Sequence, residues 1–192
     1  MIKDMIKKNR SYRRYYQNDP IKVEKLRELV DLARHSASGE NFQSLKYLLS
    51  CDPKTNEIIF KRLGWAAYLK EWPGPSEGEK PSAYIVILGD TNIHKEFFCD
   101  HGIACQSMLL GAVEAGLGGC ILGSINREGL RKDLAIVDHL QILLVLALGK
   151  PKEEVRIEYI ERGGDIKYWR DGKQVHHVPK RPLDEIILKE YA

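Results

Sequence analysis

The chain has 192 residues, of which 43% are hydrophobic and 30% charged, and it carries a formal net charge of +3. This composition is typical of a folded globular domain rather than a disordered chain, and the mild charge argues against a nucleic-acid-binding protein. No apolar run approaches the roughly 18 residues of a membrane helix. The N-terminus is charged from Lys3 and has no apolar signal core, so we expect a cytoplasmic protein. Four cysteines without a CxxC pair predict free thiols in a reducing compartment.

In chain order, the first half of the sequence predicts short helices, one strand and a long irregular segment. Asp19-Pro20 is a typical helix start, since aspartate caps free amides and proline fits the first turn. Residues 64–81 are expected to form a surface flap, because long loops in compact domains are often functional. The predicted elements are a helix that ends at residues 9–14, a helix from 20 to about 35–37, a loop at 38–41, a strand at 45–51 and a helix at 56–63.

The second half mixes strands and helices without a regular β-α-β alternation, which favours an α+β fold over a doubly wound sheet. No GxGxxG motif follows the first strand, so a Rossmann dinucleotide site is not supported and catalysis would depend on a bound cofactor. The predicted elements are strands at 83–88, 120–125 and 141–148, helices at 100–115, 126–134 and 184–191, and a hairpin or small meander at 155–161, 166–170 and 174–178.

The helix predicted for Asp100–Ala115 is apolar on nearly every side. Only a thin polar stripe at Gln106, Ser107 and Glu114 interrupts it. A surface helix keeps one wet face, so a helix of this kind should be buried in a core or between subunits. Gly116 is a natural C-terminal stop.

Three polar stretches could hold a ligand, although each one alone has a simpler explanation. Asn9–Arg14 places guanidinium groups beside a serine hydroxyl, which matches phosphate geometry, but it could be a solvated basic patch. Ser38–Gln43 presents hydroxyl and amide groups that could hydrogen-bond to the edge of a planar heterocycle, but it could be an ordinary helix end. Lys180-Arg181, held between two prolines, is equally ambiguous. His176-His177 has no carboxylate or cysteine at ligand spacing, so no metal site is predicted.

Together these stretches resemble the flavin-dependent nitroreductase family, and in particular its short single-domain members. The motifs RSYR, SGENFQ, DHGIACQSMLLGAVEAGLGGCILGS and VPKRPLDEII occur in that family's order and cover nearly the whole chain. The resemblance implies a single domain over residues 1–192 with a nitroreductase-like α+β fold, in which helices flank a central, mostly antiparallel sheet. It also implies an intertwined homodimer that holds two FMN molecules at the subunit interface. Residues 64–81 would then be a substrate flap, and residues 155–178 an insertion.

The resemblance also implies which side chains contact the flavin. The N-terminal motif would hold the phosphate and ribityl chain, with Arg13 facing the N1–C2 carbonyl edge as an electrostatic stabiliser. The loop after the second helix would reach the flavin of the partner subunit, the turn after the central helix would lie by the ring, and the C-terminal basic pair would close on the phosphate. The implied cofactor-binding residues are Arg10, Ser11, Arg13, Ser38, Asn41, Gln43, Leu122, Gly123, Ser124, Lys180 and Arg181.

The implied activity is a ping-pong reaction in which NADH or NADPH reduces FMN and an electron-poor small molecule, such as a nitroaromatic compound or a quinone, is then reduced. The chemistry would occur at flavin N5, so no catalytic side chain is required. The alternatives are an FMN-binding sensor or carrier with little turnover, and a dehalogenase or flavin-fragmenting enzyme on the same scaffold. Asn9 stands where the family often has an arginine. Trp65, Tyr68 and Trp72 either cap the substrate side of the flavin or pack the flap.

Overall fold

The computed structural model describes residues 2–191, which form two compact units. The first unit comprises the residues up to Trp65 together with Gly74–Lys152, and the second comprises Ala66–Pro73 and the residues from Glu153 onwards. Within residues 2–191, no helix is long and apolar enough to cross a membrane. The helices are α1 (Ile2–Lys8), α2 (Val23–Arg34), α3 (Pro53–Phe60), α4 (Asp100–Glu114), α5 (Arg127–Asp133) and α6 (Leu183–Ile186), and a short 3-10 turn covers Gly39–Asn41.

A four-stranded antiparallel sheet forms the centre of the first unit. Its strands are β1 (Leu45–Ser50), β2 (Ala83–Asp90), β3 (Gly118–Leu122) and β4 (Leu140–Gly149), in the order β1-β2-β4-β3. The two central strands, β2 and β4, come from the most continuous apolar runs of the sequence, as expected for strands that are covered on both faces.

Helices cover both faces of this sheet. On one face, α2 and α4 pack on side chains such as Ile85 and Ile87 of β2. On the other face, α3 and α5 pack on Tyr84, Val86 and Leu88 of the same strand. The alternation follows from the two-residue period of a strand, which sends successive side chains to opposite faces. The α+β fold with a central antiparallel sheet is therefore confirmed.

Two helix starts differ from the sequence-based prediction. The start of α2 lies at Val23, with Lys22 as an N-cap that makes no side-chain hydrogen bond, so the predicted cap by Asp19 is wrong. The start of α3 lies at Pro53, because the Asp52 carboxylate accepts a hydrogen bond of 2.8 Å from the Thr55 amide and caps the helix before its predicted beginning.

Helix α4 buries one face within its own chain and leaves part of the opposite face open. Ala104, Met108 and Ala112 lie in the core beneath it, whereas Ile103 is 36% exposed. The chain therefore buries this helix less completely than its all-round apolar sequence predicted. Gly116, with a φ of +71°, ends the helix as expected.

The second unit contains a small three-stranded sheet that is not a simple meander. Its strands are β5 (Val155–Tyr159), β6 (Trp169–Arg170) and β7 (His176–Lys180), in the order β5-β7-β6. The pairing of β6 with β7 is antiparallel around the predicted turn at Asp171, but β5 pairs parallel with β7. The terminal helix is also shorter than predicted, because the chain leaves helical geometry at Ile187 and Leu188 is 95% exposed, without packing to support another turn.

Candidate functional site

The N-terminal motif, Asn9–Arg14, runs alongside the beginning of β3. Ser11 forms a parallel bridge with Gly119, and the Tyr12 amide donates a 3.0 Å hydrogen bond to the Gly119 carbonyl. Gly118 permits this approach, since a Cβ atom there would overlap the Tyr12 ring. The motif is thus held by a single β-bridge against β3, the edge strand of the sheet.

The guanidinium groups of Arg10 and Arg13 donate to main-chain oxygens. Arg10 donates to the carbonyls of Asn9 (2.6 Å) and Ile6 (3.0 Å), where it supports the end of α1. Arg13 donates to the Ser11 carbonyl at 3.2 Å. Ser11 is exposed. Among residues 2–191, no carboxylate forms an ion pair with Arg10, so its charge remains available to an anion.

Asn9 is turned towards α4. It is only 9% exposed, and its side-chain amide donates to the Gln106 side chain at 3.3 Å. Asn9 therefore ties the N-terminal motif to the central helix, a role that a charged arginine could not fill without burying its charge.

The exit of β3, Leu122–Ser124, forms the second part of the candidate site. Leu122 is buried, whereas Gly123 and Ser124 are exposed. The Gly64 amide donates a 2.8 Å hydrogen bond to the Ser124 carbonyl, which fixes the first residue of the predicted flap beside this exit. A Cβ atom on Gly123 would meet only Leu144, at 3.8 Å, so the backbone is open to close approach. Sequence reasoning did not identify Gly64, whose only signal is a glycine after an apolar helix.

The 38–43 loop, Ser38–Gln43, is anchored at the start of α4. The Gly39 amide donates to the Asp100 carboxylate at 2.9 Å, and the Gln43 amide donates to the Ser38 hydroxyl at 3.3 Å. Asn41 and Gln43 are exposed and have positive φ angles of 58° and 51°. The loop is therefore fixed at its base, and the side-chain amide groups of Asn41 and Gln43 are exposed.

The basic pair, Lys180 and Arg181, belongs to the second unit. Lys180 is the exposed last residue of β7. Arg181 forms an ion pair with Glu185, one helical turn further on, and this pairing holds the pKa of Glu185 below its usual value. The N-terminal motif, the 38–43 loop and the β3 exit all belong to the first unit, whereas the basic pair does not.

An ion-pair cluster that the sequence did not reveal is centred on Glu79 and includes Arg14, the last residue of the N-terminal motif. The Arg14 guanidinium donates two hydrogen bonds, of 2.7 and 2.5 Å, to the Glu79 carboxylate, and the Lys152 ammonium lies 3.1 Å from it. Since both cations favour the ionised carboxylate, the pKa of Glu79 falls to about 2. Glu79 thereby fastens the N-terminal motif to the loop before β2.

The aromatic residues of the predicted flap are divided between the two units. Trp65 packs in the first unit, 5.9 Å from the Phe60 ring. In the second unit the Arg170 guanidinium lies 4.1 Å above the ring of Trp72, and Tyr68 contacts Tyr168 with ring centres 4.9 Å apart. These contacts are those of packed aromatics. Whether Trp65, Tyr68 and Trp72 also cap a substrate stays a prediction.

The environments of Cys105 and His177 are those of structural rather than reactive side chains. Burial raises the pKa of the Cys105 thiol to about 12, which makes it a weak nucleophile. His177 lies 2.5 Å from Glu158 and 3.3 Å from Asp171, and these two carboxylates raise its pKa. Among residues 2–191, no cluster of three or more side chains is suited to a metal ion.

Comparison with known proteins places this geometry in a family. The model of the nitroreductase family matches residues 6–150. A Bacillus subtilis (strain 168) protein assigned by name as an NAD(P)H nitroreductase, YodC, is 24% identical over 177 residues, covering 77% of this chain and 88% of that protein.

Solved structures show the same fold. A nitroreductase family protein from Clostridium novyi NT superposes with a TM-score of 0.66 at 22% identity, covering 79% of this chain and 86% of that one. An FMN-dependent nitroreductase from Clostridium difficile R20291 superposes with a TM-score of 0.63 at 22% identity, covering 80% and 89%. Since the family model spans most of the sequence, including the N-terminal motif, the 38–43 loop and the β3 exit, the chain belongs to the nitroreductase family.

Proposed function

We propose that this chain binds FMN and catalyses hydride transfer from NADH or NADPH to an electron-poor acceptor, such as a nitroaromatic compound or a quinone. The observation that carries the proposal is the N-terminal motif, which lies within the family match and is held beside β3 with an unneutralised Arg10. Bound FMN would supply the hydride-accepting N5 atom, and the protein would supply binding and orientation. A reducing cytoplasm, with its pool of nicotinamide cofactors, suits such an enzyme.

The residues of the first unit fit such a cofactor in charge and in shape. Arg10 and Ser11 offer the forked donor and the hydroxyl that a phosphate and a ribityl chain require. Gly123 offers an open backbone against which a flat ring could lie. Gly123 lies four residue steps along the extended strand from Gly119, which is beside Ser11, and this corresponds to roughly 13 Å. The anion-binding end and the ring-binding end would thus be well separated.

Further residues would complete the site. Arg13 would face the N1–C2 edge of the flavin, where negative charge accumulates on reduction. Lys180 and Arg181 would close on the phosphate, in which case the phosphate must displace Glu185 from Arg181.

We also propose a homodimer, in which the exposed amides of Asn41 and Gln43 would reach the flavin of the partner subunit. The open face of α4 supports this, because Ile103 is an exposed apolar side chain on that face. Met108 and Leu109 are buried in their own chain, so charges there would disrupt folding rather than test association.

The dimer is tested by Ile103→Glu, with Val137→Glu as a control at an exposed apolar residue outside α4. Light scattering after gel filtration should give a dimer for the wild type and the control, and a folded monomer for Ile103→Glu. A monomeric wild-type protein would contradict the proposed assembly.

The cofactor is tested by titrating the purified protein with FMN and following the quenching of flavin fluorescence. Arg10→Ala should raise the dissociation constant roughly 10- to 100-fold, because it removes charge-assisted hydrogen bonds. Arg27→Ala, on the exposed side of α2, should leave the constant unchanged. NADH and NADPH oxidation with a quinone and a nitroarene then tests turnover. A wild-type protein that takes up no FMN would overturn the proposal, and one that binds FMN without turnover would favour a sensor or carrier.

A further inference from the structure

A second cavity lies in the first unit, apart from every residue of the candidate flavin site. It encloses about 190 Å³ where β1 ends and β2 begins. Helix α3 forms one wall, and the chain segment around Gln17 and Pro20 forms another.

The polar floor of the cavity consists of two buried hydroxyl groups. Ser82 and Tyr84 are two residues apart, so their side chains share one face of the extended chain. Tyr84 is fully buried and Ser82 is 9% exposed. Within residues 2–191, neither hydroxyl has a hydrogen-bond partner. Because buried polar groups in native proteins are nearly always hydrogen-bonded, a molecule that enters the cavity should supply these bonds.

Asn56 and Lys80, which also line the cavity, are already engaged. The Asn56 side chain accepts a 2.7 Å hydrogen bond from the Ser50 hydroxyl and donates one of 2.9 Å to the Ser82 carbonyl. Lys80 forms ion pairs with Glu57 at 2.8 Å and Glu77 at 3.1 Å. Unlike Asn56 and Lys80, the two buried hydroxyls have unused hydrogen-bonding capacity, and each can both donate and accept.

Charge and shape narrow the class of ligand. The ammonium of Lys80 is shared by two carboxylates, so the surroundings of the cavity do not favour an anion. The Lys80 ammonium also lies 4.8 Å from the centre of the Phe60 ring. It therefore already makes the cation–π contact that this ring could offer to a cationic ligand. Phe60 and three prolines line the rest of the cavity and offer apolar surface. A neutral ligand with an apolar body fits this lining.

We propose that the cavity binds a small neutral molecule that has a single ring and a hydroxyl or primary amide group. An apolar cavity of roughly 150 Å³ accommodates benzene, so about 190 Å³ leaves room for a ring and one polar substituent. The substituent donates to one hydroxyl and accepts from the other, while the ring packs against Phe60. Burial raises the pKa of the Tyr84 hydroxyl, which keeps its proton available for donation.

Benzamide is the test probe, and benzoate and benzylamine are probes of similar size with opposite charges. Titrations followed by amide chemical shifts should show saturable binding of benzamide, with benzoate and benzylamine at least roughly tenfold weaker. Tyr84→Phe, which preserves the ring, should weaken benzamide roughly tenfold. Tyr47→Phe is the matched control, since Tyr47 does not line this cavity, and it should change nothing.

Several results would overturn the inference. Equal binding of the three probes would show non-specific association, and unaltered binding to Tyr84→Phe would show that the hydroxyl is not used. A crystal grown with saturating benzamide that contains only water in the cavity would show that water satisfies the two hydroxyls. None of these measurements depends on FMN, so the inference stands or falls separately from the proposed oxidoreductase activity.

Discussion

The ion-pair cluster at Glu79 leads to a quantitative prediction about stability. Glu79→Gln keeps the size of the side chain but removes the charge that binds Arg14 twice and Lys152 once. The carboxylate is largely buried, so solvent screens these interactions less than it would at the surface. We therefore expect a substantial loss of stability at neutral pH.

The size of the effect follows from the pKa of Glu79, which falls from 4.5 to about 2 on folding. A difference of this size corresponds to about 3 kcal/mol of folding free energy. Because the folded-state pKa is the lower one, the contribution is complete above pH 4.5 and is lost as the pH falls towards 2. For a chain of this length, a loss of about 3 kcal/mol lowers the melting temperature by roughly 6–12 °C.

Urea unfolding of the wild type and Glu79→Gln at several pH values between 7 and 3 measures this contribution. The difference in unfolding free energy should be largest at pH 7 and should shrink steadily below pH 4.5. Glu77→Gln is the control, because Glu77 is an exposed partner of Lys80 whose replacement should have a much smaller effect. A difference between wild type and Glu79→Gln that stays constant with pH would refute the electrostatic explanation.

Three further predictions concern single positions. Gly118→Ala should cost about 1–3 kcal/mol in urea unfolding, because the new methyl group overlaps the Tyr12 ring; unchanged stability would show that the N-terminal motif can move aside. Asn56→Ala should cost about 2 kcal/mol in the same assay, since it leaves the Ser82 carbonyl and a neighbouring hydroxyl without partners. The pKa of His177 is raised above its usual value of 6.5, so its protonated form stabilises the second unit fully below pH 6.5. This stabilisation is lost as the pH rises through the folded-state pKa. Proteolysis of residues 153–191 should therefore accelerate with pH in the wild type but not in His177→Gln.

Most helices and strands of the first unit were predictable, because each depends on a pattern of neighbouring residues in the sequence. Continuous apolar runs predicted β2, β4 and α4, and Asn126 capped α5 as its sequence indicated, with a 3.0 Å bond from the Gly129 amide. The start of α2 was missed, because Asp19-Pro20 has the local chemistry of a helix start. Instead, the Asp19 amide closes a turn with a 3.0 Å hydrogen bond to the Tyr16 carbonyl, and the helix begins only at Val23. The parallel pairing of β5 with β7 was also missed, since two strands and a turn look alike in sequence whichever way they pair.

The candidate site was predictable as a set of segments but not as a geometry. The resemblance supplied the N-terminal motif, the 38–43 loop and the β3 exit. The contacts that hold them join distant parts of the chain, as in Arg14 with Glu79 and Gly39 with Asp100. Pairs of this kind leave no periodic signal, because any arginine could in principle meet any glutamate. Only the tertiary structure selects the partner.

Helix α4 explains why these distant contacts converge. Some of its few polar side chains hold the candidate site: Asp100 binds the 38–43 loop, and Gln106 binds Asn9 of the N-terminal motif. A third contact, of 2.7 Å, joins Ser107 to the Ser36 hydroxyl just before that loop. At about 1.5 Å per residue these three anchors span roughly 10 Å of one rigid helix. These three polar side chains of an otherwise largely apolar helix therefore help to set the spacing between the loop and the motif, and a helix without them would remove one anchor from each.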